Sequence, residues 1–173
     1  MATSMKQANL FNEIWVNPID IVYTPDDVAS DIVDHFKPSG KCLDPCRGDG
    51  AFYKYLPLDS LWCEAKEGRD FFDFDEPVDW IVSNPPYSIF AKWLRHSFKI
   101  SHNIVYLIPI IRCFVSTAII GDIKTFGGIK EIFVFKESCF TDWSINFAIG
   151  AVHFQRNYTG GIAVTFRYNE PLH

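Results

Sequence analysis

Alternating strand and helix patterns over 173 residues predict an α/β domain: a mostly parallel, seven-stranded sheet with helices on both faces and an antiparallel hairpin at its C-terminal end. Three observations carry this expectation. Short strand-like runs end near residues 44, 63 and 83, each followed by a turn or helix signal. Residues 103–110 are too uniformly apolar for anything but a central strand covered on both sides. Residues 148–155 and 162–168 flank Asn157-Tyr158-Thr159-Gly160-Gly161, a composition that reads as a hairpin turn.

Thr24, Pro25, Asp26 and Asp27 open the first helix with a hydroxyl cap, Pro at the first helical position and acids in the first turn. Val28, Ile32, Val33 and Phe36 recur at helical spacing, and Pro38-Ser39-Gly40 stops the element. A strand at 41–44 runs into the loop Pro45-Cys46-Arg47-Gly48-Asp49-Gly50, and 51–56 restarts as a short helix. The next strand, 60–63, ends at Glu64. Residues 79–83 form another, and 87–98 form a helix whose apolar side is Phe90, Trp93, Leu94 and Phe98. After the strand at 103–110 comes one at 130–136, behind Gly127-Gly128, and then the hairpin. Ligands of such sheets bind outside the carboxyl ends of the strands, so the loops after Asp44, Glu64, Ser83 and Ile110 converge on one site.

Nearly half of the residues are apolar, enough for one core without staples, so a single domain over 1–173 is expected, with 1–20 as a flexible N-terminal segment. Cys42, Cys46, Cys63, Cys113 and Cys139 are odd in number and form no Cys-x-x-Cys pair. With five scattered histidines they point to a reduced, cytoplasmic setting and no metal site. Met1 to Lys6 lack the apolar core of a signal peptide, and Pro109 and Arg112 interrupt the longest apolar stretch, 104–120, so no membrane partner is expected. The net charge of −5 is uneven: residues 1–91 hold seven Lys/Arg against sixteen Asp/Glu, and residues 92–136 hold seven against two. Lys92, Arg95 and Lys99 on one helix side, with Arg112 in the loop after the next strand, are the candidates for phosphate contacts.

Asn84-Pro85-Pro86-Tyr87 carries most of the chemistry. The Asn84 side-chain oxygen and the Pro85 carbonyl are acceptors aimed by a rigid proline pair, and Tyr87 offers a ring face for stacking. Two acceptors suit the two hydrogens of a planar amino or amide nitrogen and leave its lone pair facing a third group. Asp44, Gly48 and Gly50 frame a glycine loop where backbone can approach a ligand closely. It lacks the third glycine of a dinucleotide fingerprint and the Lys-Ser/Thr of a phosphate loop. Glu64 can take both hydroxyls of a ribose, with Glu67 a competitor for that role. Asp70 can accept from an adenine amino group while Phe71 packs on the ring, with Asp73 a competitor. Ribose and adenine without phosphate describe an adenosyl group carrying something else.

In order, these segments resemble the S-adenosylmethionine-dependent N6-adenine DNA methyltransferases with the gamma-type motif order, over about residues 20–110. Tyr23-Thr24-Pro25 is similar to the N-terminal cofactor motif, and Asp44, Pro45, Cys46, Gly48 and Gly50 to the glycine motif. Glu64 and Asp70-Phe71 match the ribose and adenine positions, and Asn84-Pro85-Pro86-Tyr87 the catalytic tetrapeptide, Asn84 also bordering the cofactor. The resemblance implies a Rossmann-like class I methyltransferase fold, S-adenosyl-L-methionine as cofactor, and direct in-line methylation of a flipped adenine stacked on Tyr87. It also implies a second aromatic over the other face of the base, here Phe140 or Trp143 of Phe140-Thr141-Asp142-Trp143. Members carry a separate target-recognition region, whereas this chain stops at His173. Recognition of DNA would then rest on loops, on a partner subunit or homodimer, or be lax, and a restriction–modification or phage setting suits so compact an enzyme. The same tetrapeptide serves methyltransferases of protein glutamine and of guanine N2 in ribosomal RNA. A non-catalytic binding subunit with this fold is the alternative from a different class.

Overall fold

The computed structural model describes residues 22–140, 143 and 147–167, so the segment 1–20, Thr141, Asp142 and Tyr168 lie outside the described residues. Seven strands form one sheet: β1 (Cys42–Asp44), β2 (Leu61–Trp62), β3 (Val78–Ser83), β4 (Ser101–Pro109), β5 (Gly127–Val134), β6 (Ile149–Arg156) and β7 (Ala163–Phe166). Their spatial order is β2-β1-β3-β4-β6-β5-β7. Neighbours are parallel except where β6 runs antiparallel to both β4 and β5. Among the described residues three α-helices complete the layers: α1 (Asp26–Phe36), α2 (Phe90–Ile100) and α3 (Thr117–Phe126).

Successive side chains of the central strands go to opposite faces, as the pleat requires. Ile104, Tyr106 and Ile108 of β4 join Ile81, Val152 and Phe154 beneath α2 and α3, whose Leu94, Ile119 and Ile123 close that face. Val105 and Leu107 join Val82 and Ala151 beneath α1, which contributes Val28, Ala29, Ile32 and Val33. Of the described helices, α1 covers one face and α2 and α3 cover the other.

The expected C-terminal hairpin does not form. β5 lies between β6 and β7; it pairs antiparallel with the first and parallel with the second. The chain therefore leaves Arg156 and crosses the start of β5, where only glycine leaves room. A Cβ on Gly127 would stand 2.3 Å from the Gln155 carbonyl oxygen and 2.4 Å from Asn157 N. Beyond the crossing, the Arg167 guanidinium pairs with Asp27 and Asp31 and ties the end of β7 to α1.

Three local expectations change. Pro25 rather than Thr24 precedes α1, with no side-chain cap, because the Thr24 hydroxyl is engaged elsewhere. Residues 51–56 make only a 3-10 turn, Tyr53–Tyr55. The helix α3 has no counterpart in the sequence reading; Ser116 caps it by accepting from Ile119 N.

Candidate active site

From β1 the chain passes to β2 on one side and then returns to β3 on the other, so the carboxyl ends of β1 and β3 open a crevice between oppositely directed connections. A cavity of about 200 Å³ occupies that position, walled by the segments around Thr24, Gly48, Glu64, Phe71, Asn84 and Trp93.

Asp44 fastens the two strand ends together. Its Oδ1 accepts from Ser83 Oγ at 2.7 Å and from Cys46 N at 3.3 Å. The residue is 1% exposed, and its Oδ2 has no hydrogen-bond partner among the described residues. Burial pushes its carboxyl up to about 7, although the Ser83 and Cys46 bonds pull it the other way. Asp44 is not on the cavity wall; it holds the loop that is.

Glu64 joins that loop to the end of β2. One carboxylate oxygen accepts from Gly48 N at 2.9 Å, the other from Lys66 N at 3.2 Å. Its competitor Glu67 pairs with Arg47 and is not on the wall, whereas Glu64 is. Asp70 lines the cavity and Asp73 does not. Asp70 Oδ1 accepts from Phe72 N at 2.9 Å and so starts the 3-10 turn Phe71–Asp73, which presents Phe71 to the cavity.

Across the crevice, Asn84 Nδ2 donates to the Val22 carbonyl at 3.1 Å and to Thr24 Oγ1 at 3.3 Å. The Val22 oxygen can only accept, so the amide nitrogen must face it and the amide oxygen is directed away from that segment. The segment before α1 thereby sets which end of the Asn84 side chain is presented to a ligand.

The remaining candidates divide. Tyr23, Thr24, Pro45, Cys46, Gly48 and Pro86 share the wall; Pro25, Gly50 and Pro85 do not. Tyr87 is 5% exposed, donates to the Leu107 carbonyl at 3.4 Å and belongs to the core beneath α2, so its ring is not the stacking platform expected. Phe140 is likewise buried, against Phe135 and Trp143, in the core beneath α1. Trp143 stands nearer the site and donates from Nε1 to the Tyr23 carbonyl at 3.2 Å.

The four cations do not make one patch. α2 descends from the site, so Lys99 sits beside the start of β4, at the opposite end of a nine-residue strand roughly 25 Å long. Arg95 pairs with Asp122, and Lys92 lies over the Phe72 ring at 3.8 Å. Arg112 follows the carboxyl end of β4, on the side of the crevice. The sequence reading missed Ile89 and Trp93 as wall residues, although their spacing of four at the start of a helix next to the tetrapeptide places them on one face. Among the described residues no His, Cys, Asp or Glu cluster is arranged for a metal ion, all five cysteines are free, and no helix is long and apolar enough to cross a membrane.

No family model matches the chain, and no curated protein matches it in sequence. Solved structures do match in fold. A protein from Listeria monocytogenes described as a class I S-adenosylmethionine-dependent methyltransferase superposes with a TM-score of 0.67 at 12% identity, over 94% of this chain and 71% of that one. A protein described as the modification subunit of a type I restriction enzyme from Vibrio vulnificus gives 0.59 at 14% identity over 92% of this chain; the match spans 48% of that subunit. A protein described as an RNA methyltransferase from Pyrococcus horikoshii gives 0.55 at 12% identity over 76% and 82%. At such identities the likeness establishes the Rossmann-like class I methyltransferase fold, and that alone.

Proposed function

We propose that this chain transfers a methyl group from S-adenosylmethionine to the exocyclic N6 of a flipped adenine in DNA. The observation that carries the reading is the clamp on Asn84, whose amide nitrogen is held by Val22 and Thr24 at the strand crossover beside a cavity bearing Glu64 and Asp70.

The cavity suits an adenosyl group. Gly48 takes a positive φ of 54° where the loop meets Tyr23, a backbone that side-chain-bearing residues rarely adopt. Each Glu64 oxygen accepts one backbone N–H and keeps a second lone pair, so ribose hydroxyls can donate without breaking either bond. Asp70 and Phe71 would hold the adenine, and Tyr23, Thr24 and the glycine loop the amino-acid end. When bound, the sulfonium supplies an electrophilic methyl group.

Asn84 Oδ1 and the Pro85 carbonyl then accept the two amino hydrogens of the target. The nitrogen would keep its lone pair for the new N–C bond, formed as the methyl group's bond to sulfur breaks and its electron pair stays on sulfur, and would afterwards lose a proton to water. Positioning and fixed dipoles do this work without a nucleophilic side chain. Solved structures with this fold include proteins described as a modification subunit and an M protein of type I restriction enzymes and as an RNA methyltransferase, which supports a nucleic-acid substrate.

Tritiated-methyl transfer to DNA, RNA and protein, followed by digestion and mass spectrometry for N6-methyladenine, tests the proposal. Asn84→Ala should lower transfer by about a hundredfold or more, on the scale of losing one preorganised polar contact to a reacting group. Labelling of protein alone, or labelling of DNA indifferent to Asn84, overturns it.

A further inference from the structure

The loop between β4 and α3 presents apolar side chains that the core does not use. Ile111 is 47% exposed, Phe114 45% and Val115 54%. They are held firmly. Ile110–Cys113 is a 3-10 turn, Phe114 N donates to the Ile111 carbonyl at 2.9 Å, Cys113 is fully buried, and Ser116 caps α3. Ile110 N also donates to the Ala148 carbonyl at 2.9 Å, which fixes the loop to the start of β6.

The register places this loop relative to Asn84. Ser83 pairs with Tyr106, and β4 continues through Leu107, Ile108 and Pro109 before the loop begins. Those three residues carry the loop roughly 10 Å beyond the end of β3, one strand spacing to its side. The loop therefore forms a rim standing above Asn84. That height is comparable with the reach from a purine's amino group to its sugar. A base seated with its amino group at Asn84 would leave its sugar and its neighbours in the stack level with this rim. Arg112, within the same segment, adds a cation where a phosphate would pass.

We infer that Phe114, with Ile111 and Val115 beside it, is the wedge that fills the gap left in a duplex by the extruded base. Apolar side chains such as Phe, Leu and Ile enter between base steps and unstack them in minor-groove-binding proteins, so a side chain of this type can occupy such a gap. The inference rests on the methyl-transfer reading and adds to it the element that meets the duplex. A protein docking on the same rim is the competing use.

The test compares Phe114→Ala and Phe114→Leu with the wild-type chain on three substrates: a labelled duplex, its single strand, and the duplex with an abasic site opposite the target. Thermal melting of each variant controls for folding. Phe114→Ala should lose about tenfold or more on the intact duplex, stay near wild type on the single strand, and recover on the abasic duplex, because an unpaired base needs less help to leave. Phe114→Leu should retain most of the duplex activity. Equal losses on duplex and single strand, no loss on either, or release of a bound protein accompanying the loss would each overturn the wedge. Wild-type failure to label any nucleic acid would instead overturn the underlying reading, and the wedge with it.

Discussion

Asp44→Asn removes a charge from the base of the crevice while keeping the side chain's shape. The Asn Oδ1 can still accept from Ser83 and Cys46, whereas its new amide nitrogen replaces the oxygen that lacks a partner. A buried donor left unpaired costs about 1–3 kcal/mol, and that cost does not vary with pH. The charge does vary. A carboxyl that ordinarily titrates at 3.8 is pushed up to about 7 here. Between those values the folded chain keeps a proton that the unfolded chain has released, so this residue's contribution to stability falls as pH rises. At about 1.4 kcal/mol for each tenfold change in proton concentration, the fall amounts to at most about 4 kcal/mol, complete just above pH 7.

The wild-type profile alone would not reveal this. His153 is buried, with its ring 5.1 Å from Trp80, and burial pushes its pKa down to about 4. Its folded form lacks a proton that the unfolded chain binds, so its contribution rises with pH between about 4 and 6.5 and opposes that of Asp44. The difference between Asp44→Asn and wild type cancels His153. Urea unfolding of both proteins across about pH 4 to 8.5 should show the variant gaining on wild type by several kcal/mol as pH increases. A difference that stays constant over that range would mean Asp44 titrates as an ordinary carboxyl, and the reasoning from its burial would fail.

His153→Gln should show the converse: wild type should lose stability relative to the variant by about 3 kcal/mol as pH falls from about 6.5 to 4, read from the same unfolding curves. Gly127→Ala should destabilise the fold by more than about 2 kcal/mol or prevent folding, because the new methyl group meets backbone on both sides of the crossing. Gly121→Ala, in the middle of α3 with open space around the new Cβ, should instead raise the melting free energy by about 0.5–1 kcal/mol. Thr24→Val removes one of the two acceptors on Asn84 and should reduce methyl transfer by about threefold to tenfold without lowering the melting temperature appreciably. Loss of transfer as complete as in Asn84→Ala, with melting unchanged, would show that the Val22 carbonyl contributes nothing to the clamp.

Much of the sheet was legible because the signals that specify it are local. Pro38-Ser39-Gly40 ends α1, uniformly apolar residues make β4 a central strand, and acids or amides stand where β1, β2 and β3 end. Neither α3 nor the pairing of β7 could be read the same way. Ile119, Ile123 and Phe126 have helical spacing, but they continue an apolar run from β4 that hides the change of period. The turn at Asn157–Gly161 signals a reversal of direction. It does not say which strand the returning segment meets, and β5 already occupies the place beside β6.

The same distinction governs the site. Parallel strands deliver their carboxyl ends to one edge, so Asp44, Glu64, Asp70 and Asn84 converge whatever their side chains do. The direction of a side chain depends on its neighbours, and residue type does not settle it. Tyr87 belongs to the tetrapeptide, yet the 3-10 turn Tyr87–Ile89 ahead of α2 carries its ring into the core toward the Leu107 carbonyl. Lys99 shares a helix with Lys92, yet a helix leading away from the crevice takes it to the far end of the sheet. Backbone position was therefore predictable from spacing, while ring orientation and charge placement required the packed structure. Asn84 shows the limit of both: the sequence marks it as an acceptor, but only its contact with Val22, 62 residues earlier in the chain, fixes which atom of the amide a ligand would meet.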